Sequence, residues 1–282
     1  MVGSRQATSR ATDWPVAFFR TANENFGIIL NIKKEKTVKK LAIVALVASV
    51  VCGCAQKESD TVKMITEATF PPYEFLRGQE IVGIDVEICR AVAQKLGKNF
   101  HCETVDFDSV IPAVISGKAD LAAAGITVTE DRKKNVDFSI PYVKTGIVVV
   151  YKKDNPFKDK DQLKGKKIGV QGGTTSETFV TDELKQEPER TKSPAEAVAA
   201  LKAGRVEFVI ADIDPAKNCV KGEDTLAISD FITSEEYAIA IKKGQPDLLK
   251  AINETIAEIK ADGRLEKWVK EFTEESDKLK EK

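Results

Sequence analysis

The sequence has one histidine, His101, with two tryptophans and two methionines in 282 residues. One histidine excludes the paired-histidine HExxH zinc site, and no Ser/His/Asp set or CxxC pair is visible. Charge of one sign is also missing: 43 Lys and Arg stand against 44 Asp and Glu, a formal −1. That balance argues against a nucleic acid or other polyanion as partner. No internal repeat or low-complexity tract appears. The marked apolar run "LAIVALVASVV" (41–51) falls short of the roughly 20 residues that span a bilayer as a helix. What remains is a globular composition, 42% hydrophobic and 31% charged, long enough for one large or two ordinary domains.

The amino end reads as a targeting segment. "KKEKTVKK" (33–40) is a basic start, the apolar run follows, and "VCGC" (51–54) closes it. A small residue directly before a cysteine at that place resembles a bacterial lipoprotein signal; an ordinary signal peptide that contains cysteine is the alternative. The expectation is an upstream extension and signal peptide over 1–53, with Cys52 removed and Cys54 lipidated as the first mature residue. The polar "AQKESD" (55–60) would be a tether. Residues 1–37 carry no folding pattern, and translation is expected to start later, for instance at Val38.

Beyond the tether, strands alternate with helices. "VKMIT" (62–66) is a strand. In "GQEIVGIDVEICRAVAQKLGKNF" (78–100) apolar residues recur at helical spacing, with Asp85 as a cap and Gly97 as the stop. "HCETVDF" (101–107), "SVIPAVISGK" (109–118) and "ADLAAAGIT" (119–127) read as strand, helix and strand, which predicts a parallel sheet with crossover helices. Long extended stretches at 136–153 and 234–244 flank a second such unit. That unit holds the strand "KIGVQ" (167–171), helices at 177–185 and 193–204, and the strand "VEFVIAD" (206–212). Two helices close the chain, at 245–263 and 264–272. The pattern predicts a first lobe from 61–142 plus 238–272 and a second from 147–232. Hinges would lie at 143–146 and 233–237, and a charged tail at 273–282.

Ligands in such sheets bind at the carboxyl ends of the strands. "EATFPPYEF", "AGIT", "QGGTTS" and the "AD" of 211–212 all fall there. The double proline of "ATFPPYEF" (68–75) cannot sit in a central strand, because proline lacks an N–H donor. It therefore marks a stiff loop carrying Phe70, Tyr73 and Phe75 next to Glu67. Arg132 is either a solvated charge or a planar fork for a carboxylate. Asp212 is either a helix cap or a ligand group. "QGGTTS" lacks the lysine of a phosphate loop, yet a glycine-rich turn entering a helix offers N–H groups to any anion. Phe70 and Phe107 are core aromatics or a stacking pair.

Six segments occur in one order: "TEATFPPYEF", "VDFDSVIPAV", "AAGITVTEDRKKNVDFS", "GVQGGTTSETF", the "AD" of 211–212 and "ADGRLEKWVKEF". Together they resemble the polar amino-acid-binding proteins of ABC importers, the bacterial extracellular solute-binding protein family 3, over residues 61–272. The resemblance implies an α/β, two-lobed periplasmic-binding-protein fold of type II. It also implies a membrane-anchored, extracytoplasmic monomer that is not an enzyme and uses no cofactor or metal. Its partners would be a free L-amino acid and a transporter permease. Arg132 would grip the ligand α-carboxylate, helped by Thr127 and the backbone of Gly125, with Ala124 in the same loop. Thr175 would donate to that carboxylate too, with Gln171 and Ser176 beside it. Asp212 would take the α-ammonium. Phe70 and Phe107 would sandwich the ligand side chain, with Glu67 at its end. The motifs look most like arginine binders, with lysine, histidine and glutamine open. Lys133 and Lys134 are expected on the solvated face. In an exported protein Cys89 and Cys102 either bridge or stay as two buried thiols. Two other readings are a dehydratase-like enzyme on this fold and the sensing component of a signalling system.

Overall fold

The computed structural model describes residues 60–280, so the leader and the expected lipid-bearing Cys54 lie outside the described residues. β1 (Thr61–Thr66) is followed by three short strands, β2 (Thr69–Phe70), β3 (Glu74–Arg77) and β4 (Glu80–Val82), which form an antiparallel sheet of their own. Next come α1 (Ile84–Lys95), β5 (Asn99–Thr104), α2 (Val110–Ser116), β6 (Leu121–Ala122), α3 (Glu130–Lys133) and β7 (Val136–Phe138). β8 (Val143–Lys152), β9 (Ile168–Gln171), α4 (Thr175–Thr178), β10 (Glu189–Thr191), α5 (Pro194–Lys202), β11 (Phe208–Asp212), α6 (Ile213–Val220) and β12 (Leu226–Ile228) build a second body. β13 (Thr233–Tyr237), β14 (Ala240–Lys242), α7 (Pro246–Ala261) and α8 (Arg264–Lys280) lead back to the first.

The first sheet has the order β5-β1-β6-β14-β7 and the second β10-β9-β11-β8-β12, with β13 also paired to β8. The expected parallel pairing holds for β1 with β5 and β6, and for β9 with β10 and β11. Both sheets are nonetheless mixed. β14 runs antiparallel to β6 and β7, and β8 antiparallel to β11, β12 and β13. The two crossings account for this: β8 carries the chain out of the first body, and β13 and β14 carry it back in the opposite direction.

Each sheet is covered on both faces, as parallel strands require. In the first, Val62 and Met64 pack with Ile84, Ile88 and Val92 of α1 and Ile252 and Ile256 of α7, while Ile65 and Ala122 pack with Val110 and Val114 of α2. β8 shows the period of two directly. Val148 and Val150 join Ala197 and Leu201 of α5, whereas Ile147 and Val149 face Phe179 and Phe208.

Several expectations shift. Asp85 does not cap α1; the N-cap is Gly83, at φ 136, with no side-chain cap. A Cβ there would meet the Tyr73 carbonyl oxygen at 2.1 Å, so the close approach needs glycine. The helix expected over 177–185 is one turn of α-helix followed by a π-turn at Phe179–Glu183. The tail expected after 272 is helical to Lys280, because "TEESDKLK" holds no glycine or proline to stop α8. The bridge between Cys89 and Cys102 is not formed: both are free thiols. They pack in one apolar cluster, and burial raises Cys89 well above the ordinary thiol range and Cys102 to about 12. Both therefore behave as small hydrophobes. Among the described residues no helix is long and apolar enough to cross a membrane.

Candidate ligand-binding site

Phe70, Phe107, Ala124, Gly125, Thr127, Arg132, Gln171, Thr174, Thr175 and Asp212 line one cavity. The first six come from the first body and the last four from the second. Two sequence candidates do not line it. Ser176 is buried on α4 with its hydroxyl unpartnered, and Glu67 is buried between β1 and β2.

Arg132 is held at the start of α3. Thr129 caps that helix by accepting from the Arg132 N–H. The guanidinium donates to the Thr127 carbonyl at 2.8 Å and to the Gly173 carbonyl at 3.0 Å, and it stands 5.6 Å over the Phe107 ring. Gly173 belongs to the second body, so this cation reaches across the cleft. Burial lowers its pKa, against the charges of Glu235 and Asp212. Lys133 and Lys134 are exposed and pair with Glu130 at 2.8 Å and Asp131 at 2.5 Å.

Asp212 ends β11 and is buried. Its Oδ1 accepts the Tyr237 hydroxyl at 2.7 Å. Burial, and then the nearby Glu235, push its carboxyl up to about 7, while Tyr237 and Arg132 pull the other way. Glu235 in turn accepts the Thr127 hydroxyl at 2.7 Å. Tyr237, Glu235 and Thr174 were not read from the sequence. The first two sit two residues apart on β13 and so share a face, a signal hidden because the segment was read only as a crossing. Thr174 carries a clearer mark. "TTSE" is a Ser/Thr-x-x-Glu helix start, in which Thr174 accepts the Glu177 N–H and Glu177 returns to the Gly173 N–H at 2.7 Å.

Two expected donors have protein partners in this structure. The Gly125 N–H is committed to Asp85 Oδ2 at 3.0 Å, and the one proton of the Thr127 hydroxyl goes to Glu235. Both residues line the cavity without those donors. Gly125 has φ 55, and a Cβ would lie 2.7 Å from the Phe70 ring, so the loop is pressed flat under that aromatic. Beneath it Asp85 and Glu74 are fully buried. Burial raises Asp85 to about 6, and burial plus the Asp85 charge raises Glu74 well above the usual carboxylate range.

Glu67 accepts from the Thr69 hydroxyl, but its Oε2 is buried without a partner, and burial raises its pKa. Such an oxygen is costly until a donor reaches it. The cavity measures about 10 Å³, room for about one water. Within it stand a fixed cation and a buried carboxylate, walled by two aromatic rings. That set can read both ends of a small zwitterion. Among the described residues no cluster of His, Cys, Asp and Glu is placed to hold a metal ion.

Known proteins resemble this chain over most of its length. Residues 62–275 match the model of the bacterial extracellular solute-binding proteins, family 3. The L-cystine-binding protein TcyJ of Escherichia coli (strain K12) is 34% identical over 223 residues, 75% of this chain and 84% of its own length. The arginine-binding extracellular protein ArtP of Bacillus subtilis (strain 168) is 34% identical over 232 residues, 78% and 91% of the two chains. The crystal structure of the P235GK mutant of ArgBP from T. maritima superposes with a TM-score of 0.72 at 34% identity, covering 76% of this chain and 96% of that one. The architecture is the type II periplasmic-binding fold, and the chain belongs to the bacterial extracellular solute-binding proteins, family 3.

Proposed function

We propose that this protein is the lipid-anchored, extracytoplasmic binding component of an amino-acid ABC importer. It captures a free polar or cationic L-amino acid, arginine first, and delivers it to a membrane permease. The observation that carries the reading is that Arg132 and Asp212, one from each body, line one cavity. Arg132 turns its fork from the two carbonyls to the α-carboxylate, with Thr175 as a second donor. Asp212, oriented by Tyr237, takes the α-ammonium. Phe70 and Phe107 flank the side chain, and the unpartnered oxygen of Glu67 answers a guanidinium. Relatives named for arginine and cystine binding support the substrate class.

A cavity of about 10 Å³ admits no amino acid, so the two bodies part for entry. They turn about the β8 and β13 crossings, and the ligand then favours the closed form through contacts from both sides. Closure about a hinge in this way sequesters a ligand between two bodies. A thermal-shift screen of the twenty amino acids tests the reading. A ligand at 100 times its Kd adds about 2.7 kcal/mol. A screen in which none of the twenty raises the melting temperature contradicts it.

A further inference from the structure

Of the aromatics of "ATFPPYEF", the proposed site uses Phe70; Phe75 packs on Phe272, and Tyr73 is left. It is 4% exposed. Its ring lies 5.2 Å from Tyr237, edge-on at 88°, and 5.8 Å from Phe70. Its hydroxyl leaves the first body and donates to Asp214 Oδ2 at 2.8 Å. Asp214 is in the first turn of α6, on the second body, with Lys217 4.0 Å from its other oxygen. Two residues earlier Asp212 accepts Tyr237. Neighbouring phenols thus hold neighbouring carboxylates at the end of one strand, one pair inside the cavity wall and one outside it.

Inside the cavity Arg132 also crosses, to the Gly173 carbonyl; outside it the other side-chain crossings include two exposed ion pairs. Lys192 meets Asp106 at 3.2 Å with side chains 73% and 62% exposed, and Lys221 meets Asp277 at 2.7 Å with side chains 47% and 37% exposed. Exposed ion pairs contribute little. A bond from a buried phenol to a carboxylate is charge-assisted and sheltered. It breaks when the bodies part, so its contribution belongs to the closed form alone. Burial, and then the Asp214 charge, hold the Tyr73 hydroxyl well above the usual phenol range, so it donates at any working pH.

We propose that Tyr73 and Asp214 form a clasp, outside the amino-acid cavity, that stabilises the closed arrangement and sets the residence time of every ligand alike. The inference rests on the binding reading above. Tyr73→Phe removes only the hydroxyl and keeps the ring packing. It should speed dissociation about tenfold, leave association nearly unchanged, and preserve the rank order of ligands. Tenfold corresponds to about 1.4 kcal/mol, near the lower end of what a hydrogen bond to a charged group contributes. Asp214→Ala should match it, and the double variant should be no weaker than either single one. Lys192→Ala, at an exposed crossing pair, should change dissociation little.

Stopped-flow binding of L-arginine, or of whichever amino acid the parent prefers, reads the rates. Small-angle scattering of the ligand-free proteins reads closure without a ligand, and Tyr73→Phe should be the more expanded. Parental dissociation in Tyr73→Phe, additive losses, or a loss confined to one ligand overturns the clasp. If no amino acid binds the parent, the binding reading fails. Scattering then decides the clasp by itself: expansion supports it, and identical profiles overturn it.

Discussion

Truncating Arg132 is the perturbation whose size can be worked from the structure. Breaking a buried charge pair by removing one partner typically costs about 2–5 kcal/mol. Here the upper end does not apply. Before it can fork onto a carboxylate, the guanidinium gives up its bonds to the Thr127 and Gly173 carbonyls, at 2.8 and 3.0 Å. It also stays partly open to solvent. The net loss in Arg132→Ala is therefore expected at about 2–3 kcal/mol, roughly 30- to 150-fold in Kd at about 1.4 kcal/mol per decade. The loss should be similar for every amino acid, since the contact is to the part they share. Arg132→Lys should recover only part of it, because an ammonium cannot reproduce the planar fork. Lys133→Ala should be silent, as Lys133 is exposed and paired with Glu130. Calorimetric titration of the three variants is the assay. Near-parental affinity in Arg132→Ala would refute the assignment of the cavity.

Glu67→Gln should weaken arginine more than glutamine, because the buried, unpartnered Oε2 is matched to a cationic end; equal losses in calorimetry would remove Glu67 from that role. The ligand-free protein should melt at a higher temperature at pH 5 than at pH 8. Asp212 and Asp85 are raised from 3.8 to about 7 and about 6, so the native state keeps protons that the unfolded chain has lost, and stability falls as pH rises through that window. Exposed carboxylates lowered by ion pairs, such as Glu80 and Asp131, act oppositely but only at more acid pH. Asp212→Asn should flatten the slope between pH 5 and 7; an unchanged slope contradicts this account. Cys54→Ser should release the native protein from membranes, and unchanged fractionation would refute the lipid anchor.

Much of this was legible because strand ends announce themselves. An apolar run that stops at a glycine, a charge or a proline pair marks both the sheet and the place where ligands bind, and Arg132, Asp212, Phe70 and Phe107 were read from such places. What stayed hidden depends on partners far along the chain. Asp85 sits where a cap would, yet its carboxylate turns inward to the Gly125 N–H, 40 residues away. The Glu235 and Tyr237 contacts depend on β13 pairing with β8 and bridging to Thr127. Strand direction in β14 follows from the return crossing, which local periodicity does not encode. The free state of Cys89 and Cys102 is likewise a matter of packing, since spacing allows either state.

The account's central claim is that one cavity reads both ends of a zwitterion. Its most direct test is to titrate the purified protein with L-arginine, with its decarboxylated amine and with its N-acetyl derivative. The account predicts that L-arginine binds and that both derivatives lose most of the affinity. The first leaves Arg132 without a carboxylate, and the second leaves Asp212 without an ammonium. Equal binding of all three would contradict it.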